Sequence, residues 1–389
     1  MNQTDTLTNL MARLGILPAG RIAEATRLER LAPNPRAFLT DLVRRGWLTP
    51  LQAVQIGRNR GHHLVVGRYV LLERLGAGGM GRVFLARDPG LDRVVALKLV
   101  RLDRRHCPTI RTRFLREFLF AARLNHENVV HSHDAGIDHR ALYLVMEFVP
   151  GLDLARVIAS EAPLAVGRAC EYARQALLGL QHIHDQGMIH RDVKPSNLGL
   201  ARGGRTVKIL DVGLARVQRN GDAPSRKRRR RKLLGSPDYV APEQVVDSRR
   251  VDPRADQYAL GCTLYHMLAG HVPFPGGTAS EKAKQHLTAV ARSIEELRPD
   301  LPAGLGDVLR RLMSLRRSAR FATAAEAAAA LAPYAVAFGD SVSSVQKADS
   351  TISLPTTADL PTLSERSDQG SLQDSSSLPN RTAPVAHRG

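Results

Sequence analysis

The chain of 389 residues is 43% hydrophobic and 24% charged, the balance of a globular protein with room for two or three domains and a sizeable core. Its 56 Lys and Arg against 37 Asp and Glu give a formal net charge of +19, which favours anionic partners: nucleotides, phosphoproteins, nucleic acid or lipid head groups. Three separated cysteines, Cys107, Cys170 and Cys262, exclude a disulfide framework or a CxxC metal site, so a reducing, cytoplasmic setting is expected.

In chain order, residues 1–66 read as a small helical unit with a linker. MNQTDTLTNLMARLG lacks a charged start followed by an apolar run, so no secretory signal is expected. In FLTDLVRRGWLTPLQAVQI, Phe38, Leu39, Leu42 and Val43 share a helical face and Gly46 ends the helix. Thr49 and Pro50 then read as the N-cap and first position of another helix, with RNRGHH as the linker. From Tyr69 the runs YVLLERLG, RVFLARD and RVVALKLV alternate in hydrophobicity between Gly and Asp turns, the pattern of an antiparallel sheet. FLREFLFAARLN reads as a helix and LYLVMEFV as a further strand. After Pro150-Gly151 the pattern turns helical: Ala169, Tyr172, Ala173, Ala176, Leu177, Leu180 and Ile183 form one buried stripe that ends at Gly187. ATAAEAAAALAPYAVAF, interrupted by Glu326 and Pro333, reads as a last soluble helix rather than a membrane span. Residues 340–389 carry 16 Ser or Thr and no aromatic residue, too little apolar surface to offset ordering entropy, so disorder is expected there. Strands first and helices second imply an α+β chain with two lobes and a cleft between them.

Residues able to do chemistry cluster in a few short stretches. LGAGGMGRV holds G-x-G-x-x-G as Gly76, Gly78 and Gly81. Glycines let a backbone approach an anion closely, but this spacing also fits a dinucleotide fold or a plain β-turn. In dinucleotide folds the glycines open a helix, whereas here a strand follows, which suits a hairpin folded over phosphates and leaves the plain β-turn as the alternative. Lys98 sits in the apolar strand VVALKLV, where a lone cation is costly unless paired; Glu117 is the candidate partner. An outward-facing Lys98 and a surface Glu117 form the plain alternative. IHRDVKPSNLGL supplies Asp192 to accept a hydroxyl proton, Lys194 to neutralise a transferring phosphoryl group, and Asn197 to offer an amide oxygen to a divalent cation. ILDVGLA adds Asp211, a hard oxygen ligand of the kind Mg²⁺ prefers.

GAGGMGRV, VALK, HRDVKPSN, DVG, SPDYVAPE and DQYALG, in this order, resemble the motif set of the eukaryotic-like serine/threonine protein kinases of bacteria, from about Tyr69 to Pro333. The resemblance implies a kinase domain over 69–333, with a β-rich N-lobe at 69–148 and an α-rich C-lobe at 152–333. It implies that ATP lies under the loop of Leu75, Gly76, Ala77, Gly78, Gly79, Met80, Gly81, Arg82 and Val83. Leu75, Val83 and Ala96 would cover the adenine, Met146 would be the gatekeeper, and the backbones of Glu147 and Val149 would bond the base. Lys98 and Glu117 would pair, Asp192 and Lys194 would act in catalysis, and Asn197 and Asp211 would hold Mg²⁺. Arg191 resembles the arginine of kinases aligned by a phosphorylated activation segment; Glu243 is expected to pair with Arg320, and Asp256 to brace the catalytic loop. The implied activity is γ-phosphoryl transfer from Mg-ATP to protein Ser or Thr hydroxyls, autophosphorylation included.

Two positions depart from the family pattern: Val212 replaces a Phe, and Gly199 stands where an aliphatic side chain usually supports the adenine. They motivate a rival reading, a pseudokinase scaffold with weak nucleotide binding; since neither removes a charged group, the active enzyme is the expectation. The seven cations Arg226 to Lys232 fall in the implied activation segment, beside Ser225 as a regulatory candidate. A nucleic-acid or anionic-surface contact through them is an accessory property, a solvated loop the plain alternative. The histidines His131, His133 and His139 read as strand-edge and loop residues rather than metal ligands.

Overall fold

The computed structural model describes residues 6–78, 81–101, 118, 121–138, 141–201, 203–212, 236–247 and 250–336. The N-terminal unit consists of α1 (Leu7–Arg13), α2 (Ile22–Leu31), α3 (Pro35–Arg44) and α4 (Pro50–Gly57). Local chemistry starts the last two. The Asn34 side chain accepts from the Ala37 N–H ahead of Pro35, and Thr49 and Gln52 form a reciprocal capping box around Pro50. Met11, Phe38, Leu42, Leu48, Ile56 and Leu64 make this unit's core, and Val70 of the following sheet closes it.

The stretch expected to be a linker is a packed joint: Gly61–Leu64 forms a 3-10 turn in which Gly61 and Leu64 are buried. The capping box does a second job there. Thr49 Oγ1 donates to the Leu72 carbonyl at 2.5 Å and Gln52 Nε2 to the Leu71 carbonyl at 2.9 Å. Those carbonyls flank a bulge between Leu71 and Glu73 in the next sheet, where strand pairing lapses and the freed acceptors need other donors. Arg87 adds a bond to the Gly15 carbonyl at 2.7 Å.

The sheet comprises β1 (Val65–Val66), β2 (Tyr69–Gly78), β3 (Gly81–Asp88), β4 (Arg93–Arg101), β5 (Ser132–Asp138) and β6 (Ala141–Glu147). It is antiparallel throughout, in the order β1-β2-β3-β4-β6-β5. Period-two alternation splits β4 between two apolar clusters. Val95 and Leu97 join Tyr69, Leu71, Phe84 and Val145 on one face; Ala96 and Val100 join Leu142, Leu144 and Met146 on the other. Lys98 therefore shares the face of Ala96 and Met146. Of the helix expected in FLREFLFAARLN, Phe118 is helical and the stretch before it, Glu117 included, lies outside the described residues.

The second lobe holds α5 (Leu154–Glu161), α6 (Val166–Asp185), β7 (Leu198–Ala201), β8 (Thr206–Ile209), α7 (Pro242–Val246), α8 (Arg254–Ala269), α9 (Ala279–Thr288), α10 (Ile294–Leu297), α11 (Leu305–Leu312) and α12 (Ala324–Leu331). All seven stripe residues of α6 are buried in the large core, and α8 is buried on every side, the mark of a central helix. The helix expected around Glu326 is shorter than its apolar run. It ends at Leu331, and Pro333, which has no N–H to continue the ladder, sits in a 3-10 turn over Ala332–Tyr334. Among the described residues no helix is long and apolar enough to cross a membrane. The tail 340–389 lies outside the described residues.

The Gln52 clamp makes a stability prediction. Gln52→Ala removes the donor to a buried carbonyl and the acceptor for the Thr49 N–H, so urea unfolding should show a loss of about 1–3 kcal/mol. Arg58→Ala, at an exposed position beside it, should stay within about 0.5 kcal/mol.

Candidate active site

Lys98 pairs with Val83 on one side and Leu144 on the other, so its ammonium leaves a buried strand and requires a partner. Among the described residues that partner is Asp211, with Nζ 2.8 Å from Oδ1; the expected partner Glu117 lies outside them. Asp211 has φ +60°, a left-handed conformation uncommon for a side chain larger than glycine, directly after the loop residue Leu210. The ion pair joins the strand lobe to the helical lobe.

The catalytic candidates stand below it. Asp256 of α8 is fully buried and accepts from His184 Nε2 at 2.8 Å, the His190 N–H at 2.9 Å and the Arg191 N–H at 2.7 Å. Burial pushes its carboxyl pKa upward, yet the His184 hydrogen bond and charge, the nearby His190 and the Arg191 N–H together bring it below the ordinary value. Arg191, at φ +68°, is held in the left-handed region by this grip and by Gln244 Nε2, which donates to its carbonyl at 2.8 Å. The chain thus turns sharply just before Asp192.

Asp192, Lys194, Asn197 and Ser236 converge. Lys194 Nζ lies 2.8 Å from Asp192 Oδ2 and 2.9 Å from Ser236 Oγ, and the Ser236 N–H donates to Asp192 Oδ1 at 3.2 Å. Asn197 turns its Nδ2 to the Asp192 carbonyl at 2.7 Å and to Oδ2 at 3.2 Å, so its amide oxygen is the group left to meet a cation. Asn197 and Asp211 both line the cleft between the lobes. Two hard oxygen donors from these residues fit Mg²⁺ rather than a soft metal.

The cleft has a volume of about 290 Å³. Leu75, Gly76, Val83 and Ala96 line it from the strands, Met146 from its end, and Glu147, Phe148 and Val149 from the inter-lobe connection. The Glu147 carboxylate is already engaged by Lys208 Nζ and the His131 N–H, so only backbone is offered there. At the glycine hairpin Gly78 pairs with Gly81 and Ala77 with Arg82, while Gly79 and Met80 lie outside the described residues. Gly81 has φ +145°, and a Cβ there would fall 2.1 Å from the Leu99 carbonyl oxygen, so the close approach of the hairpin to β4 requires glycine. The structure also brings Asp153, Ser196 and Leu210 into the cleft, which sequence reasoning missed. Asp153 also caps α5, its side chain accepting from the Arg156 N–H at 2.9 Å.

The segment after Ser236 is fastened to the helical lobe. Asp238 pairs with Lys282 at 2.5 Å, and the Tyr239 and Tyr258 hydroxyls bond His266 and His286, each at 2.8 Å. Glu243 and Arg320 form the expected pair, bidentate at 2.6 and 3.0 Å, with Arg320 also donating to the Ser314 and Arg254 carbonyls. Val212 is buried in the helical-lobe core. Ser225 and the cations Arg226 to Lys232 lie outside the described residues, as does His139, while His133 belongs to β5.

Residues 69–331 match the protein kinase domain family. The chain belongs to that family. It is similar to the probable serine/threonine-protein kinase PknB of Bifidobacterium longum, 36% identical over 68% of this chain and 39% of that protein. It is also similar to the serine/threonine-protein kinase PrkC of Bacillus subtilis, 34% identical over 63% of this chain and 37% of that protein. The chain thus spans about two-fifths of the length of these curated relatives. Among solved structures, the Mycobacterium tuberculosis PknI kinase domain matches with a TM-score of 0.53 and 31% identity, over 70% of this chain and 98% of that one. The two-lobed kinase fold is therefore the architecture of this chain.

Burial pushes the His286 imidazole down to about 4. A histidine depressed in the fold stays neutral there while the unfolded chain takes up a proton below its ordinary value near 6.5, so stability falls with pH across that window. Urea unfolding of the wild type should lose about 2–3 kcal/mol from this group between pH 6.5 and 4, and His286→Gln should flatten that part of the profile.

Proposed function

We propose that this chain is an active serine/threonine protein kinase that transfers the γ-phosphoryl group of ATP to Ser or Thr hydroxyls of protein substrates, itself included. The observation that carries this reading is the convergence of Asp192, Lys194, Ser236 and Asn197, with Asn197 lining the same cleft as Asp211, the partner of Lys98.

In this reading the adenine enters between Val83 and Ala96 above and the 199–210 floor below, against the backbone of Glu147 and Val149. Asp153 and Ser196 offer polar groups to the sugar hydroxyls. Lys98 meets the phosphates from the strand side. Mg²⁺, where Asn197 and Asp211 hold it, supplies charge neutralisation at the phosphates. The substrate hydroxyl oxygen attacks the γ-phosphorus, the bond to the bridging oxygen breaks to release ADP, and Asp192 accepts the hydroxyl proton. Lys194, already beside the Asp192 carboxylate, faces the same transferring group and offsets its charge. Positioning and electrostatics carry most of the rate in such a reaction, and a rigid Asp192 is its central requirement. Neither departure removes a charged candidate: Val212 packs in the helical-lobe core, and Gly199 lines the cleft beside Asn197 and Asp211.

Asp192→Ala should lower incorporation of labelled phosphate from ATP into a basic protein by about 10³-fold or more, while binding of a fluorescent ATP analogue persists. Phosphoamino-acid analysis of the wild-type product should show phosphoserine or phosphothreonine. Undiminished incorporation by the purified variant would remove Asp192 from its role.

A further inference from the structure

The floor of the cleft carries a volume exchange. Gly199 lies on β7, paired with Lys208 and bridged to Asp153, and it lines the cleft without contributing a side chain. A Cβ built at position 199 would lie 3.4 Å from Val149 Cγ1 and 3.4 and 3.5 Å from the two Cδ atoms of Leu210. A methyl fits in that space; the branches of a larger side chain run into the Leu210 and Val149 side chains that already bound it.

Leu210 is fixed in that position from both ends. Its N–H donates to the Asn197 carbonyl at 2.9 Å, and its own carbonyl accepts from His190 Nε2 at 2.8 Å. Its side chain packs with the cluster of Ala96, Met146 and Val149, although the residue belongs to the loop that leads into Asp211. A helical-lobe residue thus reaches the apolar surface of the strand lobe through the nucleotide cleft.

We propose that Leu210 forms the apolar floor beneath the nucleotide base, occupying the volume that Gly199 leaves open, and that the two positions determine base affinity as one unit. The inference rests on the kinase reading above. Its chemistry is base contact rather than phosphate contact, so it concerns the planar aromatic part of the ligand alone.

The test uses the full chain and titration with a fluorescent ATP analogue, with urea unfolding to confirm the folded state. Leu210→Ala should weaken binding about 10- to 30-fold, from loss of a leucine-sized apolar contact. Gly199→Leu alone should also weaken it, since two leucines compete for one space, and Gly199→Leu with Leu210→Ala should return to within about threefold of wild type. Inorganic tripolyphosphate, which has no base, should compete equally well for wild type and Leu210→Ala. If Gly199→Leu does not fold, the series Leu210, Val, Ala carries the test, and binding must fall at each step. Leu210→Ala binding like wild type, single effects that simply add in the double variant, or equal loss of tripolyphosphate binding would each overturn the proposal and leave the kinase reading standing. A wild type that binds no ATP analogue would overturn both.

Discussion

One buried carboxylate, Asp256, sets the geometry on which the catalytic residues depend. A charge with no solvent exposure costs several kcal/mol unless it is fully hydrogen-bonded, and here two backbone N–H groups and an imidazole supply the bonds. The exchange works in both directions. The loop stabilises the carboxylate, and the carboxylate holds Arg191 in a left-handed conformation that the chain would otherwise leave. Asp192 follows directly and inherits its direction from that turn. Because α8 is buried on all sides, the anchor itself has nowhere to move.

The same helix fastens the segment that follows Ser236. Arg320, with its side chain fully buried, bonds both Glu243 and the carbonyl of Arg254 at the start of α8. Gln244 bonds the Arg191 carbonyl. Catalytic loop and substrate-side segment therefore share one frame, and Ser236 can reach Asp192 and Lys194 without spanning a gap. Burial of ionic groups gives positional precision here at a desolvation cost that hydrogen bonds largely offset.

Across the cleft, the Lys98–Asp211 pair and the Leu210 side chain link the strand lobe to the helical lobe through two consecutive residues, alongside the Lys208–Glu147 pair. On the opposite edge the N-terminal helices brace β2 at its bulge, where Thr49 and Gln52 satisfy carbonyls that the sheet leaves free. The strand carrying Leu75 and Gly76 is thus supported from behind by a unit that precedes the kinase domain.

Much of this was legible in residue order alone. Strand alternation placed Lys98 in an apolar strand, the α6 stripe emerged residue for residue, and the Thr49-Pro50 cap fell where the helix starts. These are local signals, set by backbone period and side-chain hydrogen bonding within a few residues. The pairing of Glu243 with Arg320 and the bracing by Asp256 came from family resemblance, because no local rule connects residues so far apart. Three features needed the folded chain: the packed joint at Gly61–Leu64, the cap of the β2 bulge, and the filling of the Gly199 space by Leu210. Each depends on which surfaces meet after folding. Composition and period determine what a segment can form; close packing between distant segments decides which side chain fills a space and which donor finds a freed carbonyl.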